Sequence, residues 1–227
     1  MSAEHGPAPL LLGSGSEAAD HYRLLATGHE ASKILEQAGI RHLAGGGIAV
    51  WAYGRRRMTK DIDLFLEHGR QFAAMDILAR RGFHTRDTDA NWLYKAIRDG
   101  VVIDLITFTT GDIRLDAGTF KYLRRQAVDG FEFPLMGPED VVFRKIYSAD
   151  ETRFHDWYDA LAIVARRGRG DFDWDYFARL GSTRVLNRVV SFLFFALSDP
   201  AAAENVPPGL LQALVRATGV CSSSNTT

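Results

Sequence analysis

Cysteine is almost absent: a single residue, Cys221, stands in a polar tail, so neither a disulfide framework nor a cysteine-based zinc cluster is available. His29-Glu30 has no second histidine four residues on, which removes the zinc-protease pattern. The Walker-type glycine-lysine signature is also missing, so the chain is not a P-loop NTPase. No apolar run is long enough to cross a bilayer, the best being residues 189–197. No basic region precedes Pro9-Leu10-Leu11-Leu12, and that leucine run is shorter than a secretory core, so a cytoplasmic protein is expected. Excess charge is lacking too. With 27 Lys and Arg against 28 Asp and Glu, the chain is no general nucleic-acid coat, and any RNA contact must come from a local basic patch.

What is present suffices for one full core: 227 residues, 46% of them hydrophobic. Residues 1–20, rich in Gly, Ser, Ala and Pro, read as a loose leader, and the tail 221–227 reads the same way. Between them the spacing of apolar residues predicts helices over 21–38, 48–53 and 71–81 and strands over 40–44 and 61–66. Strands are expected again over 83–85, 92–97 and 101–108, the last two joined by the hairpin signal Asp99-Gly100, and over 130–135. Gly137-Pro138-Glu139-Asp140 is a helix start, with proline in the first turn and acids at the positive end of the dipole. Helices are expected beyond it over 138–150, 153–167, 173–180, 182–197 and 207–217. The fold class is therefore α+β, a small mixed sheet flanked by helices in a core of residues 21–136, followed by a helical carboxy-terminal part, 137–220.

The chemistry concentrates in Arg57-Met58-Thr59-Lys60-Asp61-Ile62-Asp63-Leu64, downstream of Gly45-Gly46-Gly47. A strand alternates its side chains, so Asp61 and Asp63 leave one face while Ile62 and Leu64 leave the other. Two parallel carboxylates that close repel each other, and a divalent cation is the usual remedy. The glycines supply backbone N–H groups at a helix start, where phosphate binds well. A third acid, Asp104, sits inside the apolar run Val101-Val102-Ile103-Asp104-Leu105-Ile106, where a lone ionised carboxylate would cost several kcal/mol. If the hairpin lays its strand beside the first pair, three acids share one sheet face. Oxygen-only ligands with room for water and phosphate point to Mg²⁺ or Mn²⁺.

Gly45-Gly46, the spaced Arg57, Thr59, Asp61 and Asp63, and the later Ile103-Asp104-Leu105 together resemble the polymerase-beta-type nucleotidyltransferase superfamily. The similarity is strongest over residues 40–110 and is closest to small bacterial AbiEii toxin-like proteins. The aminoglycoside nucleotidyltransferases share a related glycine and Asp-x-Asp arrangement. Glu139-Asp140, Lys145 and Arg153-x-x-Asp156-x-x-Asp159 extend the likeness to the toxin-like members, although His155 stands where those usually have lysine. The resemblance implies transfer of a nucleoside monophosphate from an NTP such as ATP to an acceptor, with pyrophosphate released. It implies Asp61 and Asp63 on the metal bridging the triphosphate, and Asp104 helping to hold a second. Gly45 and Gly46 would admit the phosphates, with Thr59 beside them and Arg57 or Lys60 offsetting charge. A tRNA end is the first acceptor implied and an aminoglycoside-type antibiotic the second, and the toxin-like likeness admits an antitoxin protein as partner. A silent nucleotidyltransferase fold acting as a binding protein is the rival from another class.

Other residues read less sharply. Lys145 belongs to a helix whose Val142, Ile146 and Ala149 form a buried stripe; it is either a snorkelling lysine or, by resemblance, a phosphate or acceptor contact. Asp156 and Asp159 fall on one face of a helix whose other face carries Phe154, Trp157, Leu161 and Ala165, and solvated acids are expected, with Asp159 a weak site candidate. Arg55-Arg56-Arg57, Lys121 with Arg124-Arg125, and Arg166-Arg167-Gly168-Arg169 are basic clusters of the solvated kind; two of them converging near the carboxylates would guide an RNA end. The four tryptophans are expected in the core.

Overall fold

Seven strands form one mixed sheet: β1 (His42–Ala44), β2 (Asp61–Leu66), β3 (His84–Asp89), β4 (Leu93–Arg98), β5 (Val101–Ile106), β6 (Arg124–Val128) and β7 (Phe131–Leu135). They come from a computed structural model that describes residues 15–89, 91–168, 170–181 and 186–218. The order across the sheet is β3-β4-β5-β2-β1-β7-β6. β2 runs parallel to β5, and β1 parallel to β7, while the remaining pairs are antiparallel. The helices are α1 (Gly15–Gln37), α2 (Gly46–Tyr53), α3 (Gln71–Arg80), α4 (Ala117–Lys121), α5 (Pro138–Ser148), α6 (His155–Arg167), α7 (Trp174–Gly181), α8 (Leu186–Leu197), α9 (Pro200–Ala203) and α10 (Leu210–Ala217).

Alternation along β2 sends Ile62, Leu64 and Leu66 into the core, where all three are fully buried. α1 lies against this apolar side and approaches closely, since a Cβ on its Gly28 would come within 2.8 Å of Ile62. The opposite side of β2 meets α2, which in turn contacts α5 and α6. Gly54 makes the approach to α6 close: a Cβ there would stand 2.7 Å from the Ile163 backbone nitrogen. A single apolar cluster runs from Leu24 on α1 through the sheet to Leu214 on α10. The expected fold class is the observed one.

Some boundaries differ from expectation. The first helix begins at Gly15, inside the stretch that reads as leader, while the rest of that leader, the tail with Cys221, residues 182–185 and Arg169 lie outside the described residues. β6 is unexpected because Arg124-Arg125-Gln126 reads as a solvated basic patch; it is an edge strand, where charge discourages pairing with other chains. Its turn, Asp129-Gly130, has φ of +46° and +89°, matching Asp99-Gly100 at +52° and +77°, so both hairpins use the same left-handed pair. α4 is set by a local capping box, Asp116 with Thr119.

Candidate functional site

Asp63 on β2 and Asp104 on β5 are register partners in parallel strands, and Asp61 stands two residues before Asp63. All three acids therefore face one side of the sheet and line one cavity of about 840 Å³. Gly46 and Gly47 close its near end. Gly46 has φ of +52°, and a Cβ on it would fall 1.6 Å from Asp63 Oδ2, so any side chain would displace the carboxylate. The Gly45 N–H donates to the Asp63 carbonyl at 3.0 Å and fastens the glycine turn to β2. Thr59 Oγ1 donates to Asp61, at 3.2 Å to its carbonyl and 3.3 Å to Oδ1. Lys60 is exposed, lines the same cavity and makes no ion pair among the described residues.

The acids in and beside the cavity fall into two electrostatic kinds. Among the described residues neither Asp61 nor Asp63 has an ion-pair partner. Burial pushes the Asp63 pKa up to about 7, with Asp61 and Asp104 pushing the same way against the more distant Lys145 and Arg153. Burial likewise raises Asp104, although Lys95 Nζ lies 2.5 Å from its Oδ1. Asp156 and Asp159, in contrast, are saturated with cations. Lys145 Nζ stands 2.5 Å from Asp156 and 3.2 Å from Asp159. Arg57 holds Asp159 through Nη2 at 2.8 Å and Nε at 3.1 Å, and Arg153 Nη2 reaches Asp156 at 3.0 Å. Burial alone would raise Asp159, but the Arg57 hydrogen bond and Lys145 outweigh it and hold its pKa below the ordinary value.

These contacts correct the solvated reading of α6. Asp156 and Asp159 are fully buried, whereas Phe154 and Tyr158 are exposed. The apolar pattern of α6 fits either orientation; pairing with Arg57, Lys145 and Arg153 turns the acids inward, and Trp157 is instead covered by Phe192 and Phe195 of α8. Lys145 is buried rather than snorkelling. Glu139 and Asp140 lie away from the cavity: Glu139 accepts the Asp173 N–H at 2.6 Å and Asp140 the Tyr176 hydroxyl at 2.8 Å, which ties α5 to α7. Trp51 is buried as expected, and Trp92 is half-buried on the cavity wall.

Three further residues carry no motif of their own: Phe108 and Arg144 line the cavity, and Lys95 reaches Asp104 from β4. Lys95 was predictable, because a two-residue turn at Asp99-Gly100 pairs Arg98 with Val101 and therefore Lys95 with Asp104. Phe108 and Arg144 were not, since both depend on tertiary packing. Arg144 donates to Thr109 Oγ1 at 3.0 Å and to the Ile113 and Arg114 carbonyls at 2.8 and 3.0 Å, pinning the loop that forms the far wall.

The donor chemistry suits a hard divalent cation at Asp61 and Asp63, two crowded oxygen ligands without a countercharge. No cluster of three or more His, Cys, Asp or Glu side chains is disposed to hold a metal among the described residues. Asp104 would have to leave Lys95 to join such a site, and phosphate oxygens would fill the remaining positions.

A mixed sheet with this glycine turn and these strand acids is the fold of nucleotidyltransferases. The crystal structure of ANT(2")-Ia in complex with adenylyl-2"-tobramycin superposes with a TM-score of 0.51 at 14% identity, covering 75% of this chain and 97% of that one. The solution structure of ANT(2'')-Ia gives 0.50 at 13%, covering 78% and 96%. An antigenic nucleotidyltransferase-like protein from Paracoccidioides brasiliensis gives 0.50 at 15%, covering 84% and 92%. No curated protein matches in sequence. Residues 25–179 match the family described as nucleotidyl transferase of unknown function (DUF2204), and the chain belongs to that family. It is an enzyme of the nucleotidyltransferase class.

Proposed function

We propose that the protein transfers a nucleoside monophosphate from an NTP to an acceptor hydroxyl, releasing pyrophosphate, and that the acceptor is a tRNA end. The observation that carries the reaction is that Asp61 and Asp63, without an ion-pair partner among the described residues, stand beside a glycine turn that leaves no room for a side chain. The acceptor oxygen attacks the α-phosphorus, the bond from that phosphorus to the pyrophosphate oxygen breaks, and the hydroxyl proton leaves through a carboxylate to water. Bound Mg²⁺ or Mn²⁺ would neutralise the triphosphate and lower the acceptor's pKa. Asp61 and Asp63 would hold that cation. Gly45 and Gly46 let the backbone approach the phosphates at the start of α2. Lys60 meets the triphosphate charge, and Thr59 fixes Asp61. Asp104, one oxygen on Lys95, faces the acceptor side and would be the residue to help hold a second cation.

The core of residues 21–136 carries these groups, and the helical part, 137–220, adds Lys145, Asp156 and Asp159. Those three act with Arg57 as a rigid wall, so Arg57 and Asp159 position the site more than they bind nucleotide. The reading places the protein in the cytoplasm, where NTPs and tRNA meet, and the toxin-like likeness admits an antitoxin protein as partner. A second acceptor, an aminoglycoside hydroxyl, is favoured by the tobramycin adduct of the fold neighbour.

Incubation with each radiolabelled NTP, Mg²⁺ and total cell RNA tests the proposal. Label in small RNA, absent with Asp63→Asn, is the expected result. Label on an added aminoglycoside alone moves the acceptor to the second reading. Wild-type protein that neither labels an acceptor nor binds nucleotide with metal is a silent fold.

A further inference from the structure

A second cavity, of about 610 Å³, opens behind the Arg55-Arg56-Arg57 loop. The end of α2, the β6–β7 hairpin and the end of α6 enclose it. Its cations are Arg56, Arg166 and Arg167, and its one acid is Asp129. Two basic clusters separated by more than a hundred residues therefore converge on one cleft.

The cleft is not balanced internally. Arg56 reaches Asp129 at 2.9 Å and stands 5.6 Å over the Trp51 ring. His21 stacks on Trp51 with ring centroids 4.4 Å apart, and its Nε2 meets the same Asp129 at 3.2 Å. Arg167 donates to the Tyr53 and Ala52 carbonyls at 3.2 and 3.0 Å and to Asp171 at 3.1 Å. Arg166 is exposed and has no ion-pair partner among the described residues. Two further donors are left over. Trp51 Nε1 and Tyr53 Oη are buried without a hydrogen-bond partner among the described residues, on residues 8% and 2% exposed. Unsatisfied buried donors beside one arginine, Arg166, left uncompensated among the described residues suit an acceptor-rich anion.

We infer that this cleft binds a backbone phosphate of an RNA chain and so guides an RNA acceptor towards Asp61 and Asp63. A polynucleotide is favoured over a free anion because Arg56 lines this cleft while the next residue, Arg57, lines the reaction cavity. An RNA crossing that loop touches both. The inference rests on the proposed nucleotidyl transfer for its biological sense, but the binding itself does not require turnover.

Fluorescence anisotropy on the full chain, with a labelled tRNA-like hairpin carrying a single-stranded 3′ end, reads this directly. Arg166→Glu, at an exposed side chain, weakens the RNA about tenfold, and Arg56→Gln with Arg166→Glu weakens it further. The log–log salt slope becomes shallower by about 0.7 for each phosphate that the variant no longer neutralises. Trp51→Phe keeps an aromatic ring and removes the indole N–H, and it lowers RNA affinity a few-fold. In all three variants Mn²⁺-dependent binding of a non-hydrolysable ATP analogue stays at the wild-type value. Unchanged RNA affinity and salt slope in Arg166→Glu and Trp51→Phe overturn the inference. So does an effect confined to binding of inorganic phosphate or of the ATP analogue, which would make the cleft a free-anion site. Arginine-dependent RNA binding without label transfer would leave this cleft standing while the transfer reading falls.

Discussion

Two pairs of aspartates, each pair spaced along a single element, meet opposite fates in this molecule. Asp156 and Asp159 are fully buried on α6, yet Lys145, Arg57 and Arg153 account for their charge completely. Asp61 and Asp63 are less enclosed, yet among the described residues no cation pairs with either, and Asp63 is pushed up to about 7. Burial depth therefore misleads as a guide to function here. The carboxylates left without an ion-pair partner among the described residues are those that the proposed reaction would use.

The contrast can be broken most forcefully at Asp63. Replacing it with asparagine keeps the shape but removes the charge, and kcat for nucleotidyl transfer should fall at least ~10³-fold. Thermal melting of the metal-free protein should show no loss of stability, because a repulsive charge has gone. A large drop in melting temperature would mean that Asp63 is structural.

The matching change at the paired site is Lys145→Met, which leaves Asp156 and Asp159 short of one cation. Removing one partner from a buried pair costs about 3–5 kcal/mol, measurable by urea unfolding. A cost below about 1 kcal/mol would show that the two pairs do not differ as described.

Proton linkage sharpens the comparison further. Asp63 binds its proton more tightly folded than unfolded, so the folded state holds the extra proton between the usual carboxylate range and pH about 7. Stability of the metal-free protein should therefore decline as pH rises through that window, and Mg²⁺ should restore it at the upper end. Asp63→Asn should flatten the profile. Asp159, held low by Arg57 and Lys145, contributes in the opposite sense, losing stability only as pH falls below the ordinary carboxylate range.

The smallest effect is expected at Lys95. With Lys95→Met, Asp104 loses its ammonium and becomes available to a cation, so Mn²⁺ affinity followed by paramagnetic resonance should rise about threefold to tenfold. Weaker binding would make Lys95 a support for the metal site instead of a competitor.

Much of this is legible in the chain alone. β2 is readable to its ends because its alternation, its flanking polar loop and its two acids agree, and the Asp99-Gly100 turn sets the β4–β5 register, whereas the parallel pairing that brings Asp104 beside Asp63 is a tertiary contact. The same turn implies Lys95. β6 is illegible because a charged edge strand and a solvated loop share one composition. α6 misleads because its apolar and acidic residues fit a helix in two orientations, and only partners from three other segments choose between them.

By itself the chain determined that Asp61 and Asp63 share one strand face and that Lys95 meets Asp104, since strand periodicity and a two-residue turn act over a few residues and follow from covalent geometry. Which acids would be neutralised, and which arginines would meet behind the Arg55–Arg57 loop, was decided only by tertiary packing. Ion pairing and convergence join residues a hundred positions apart, and no local pattern records that distance.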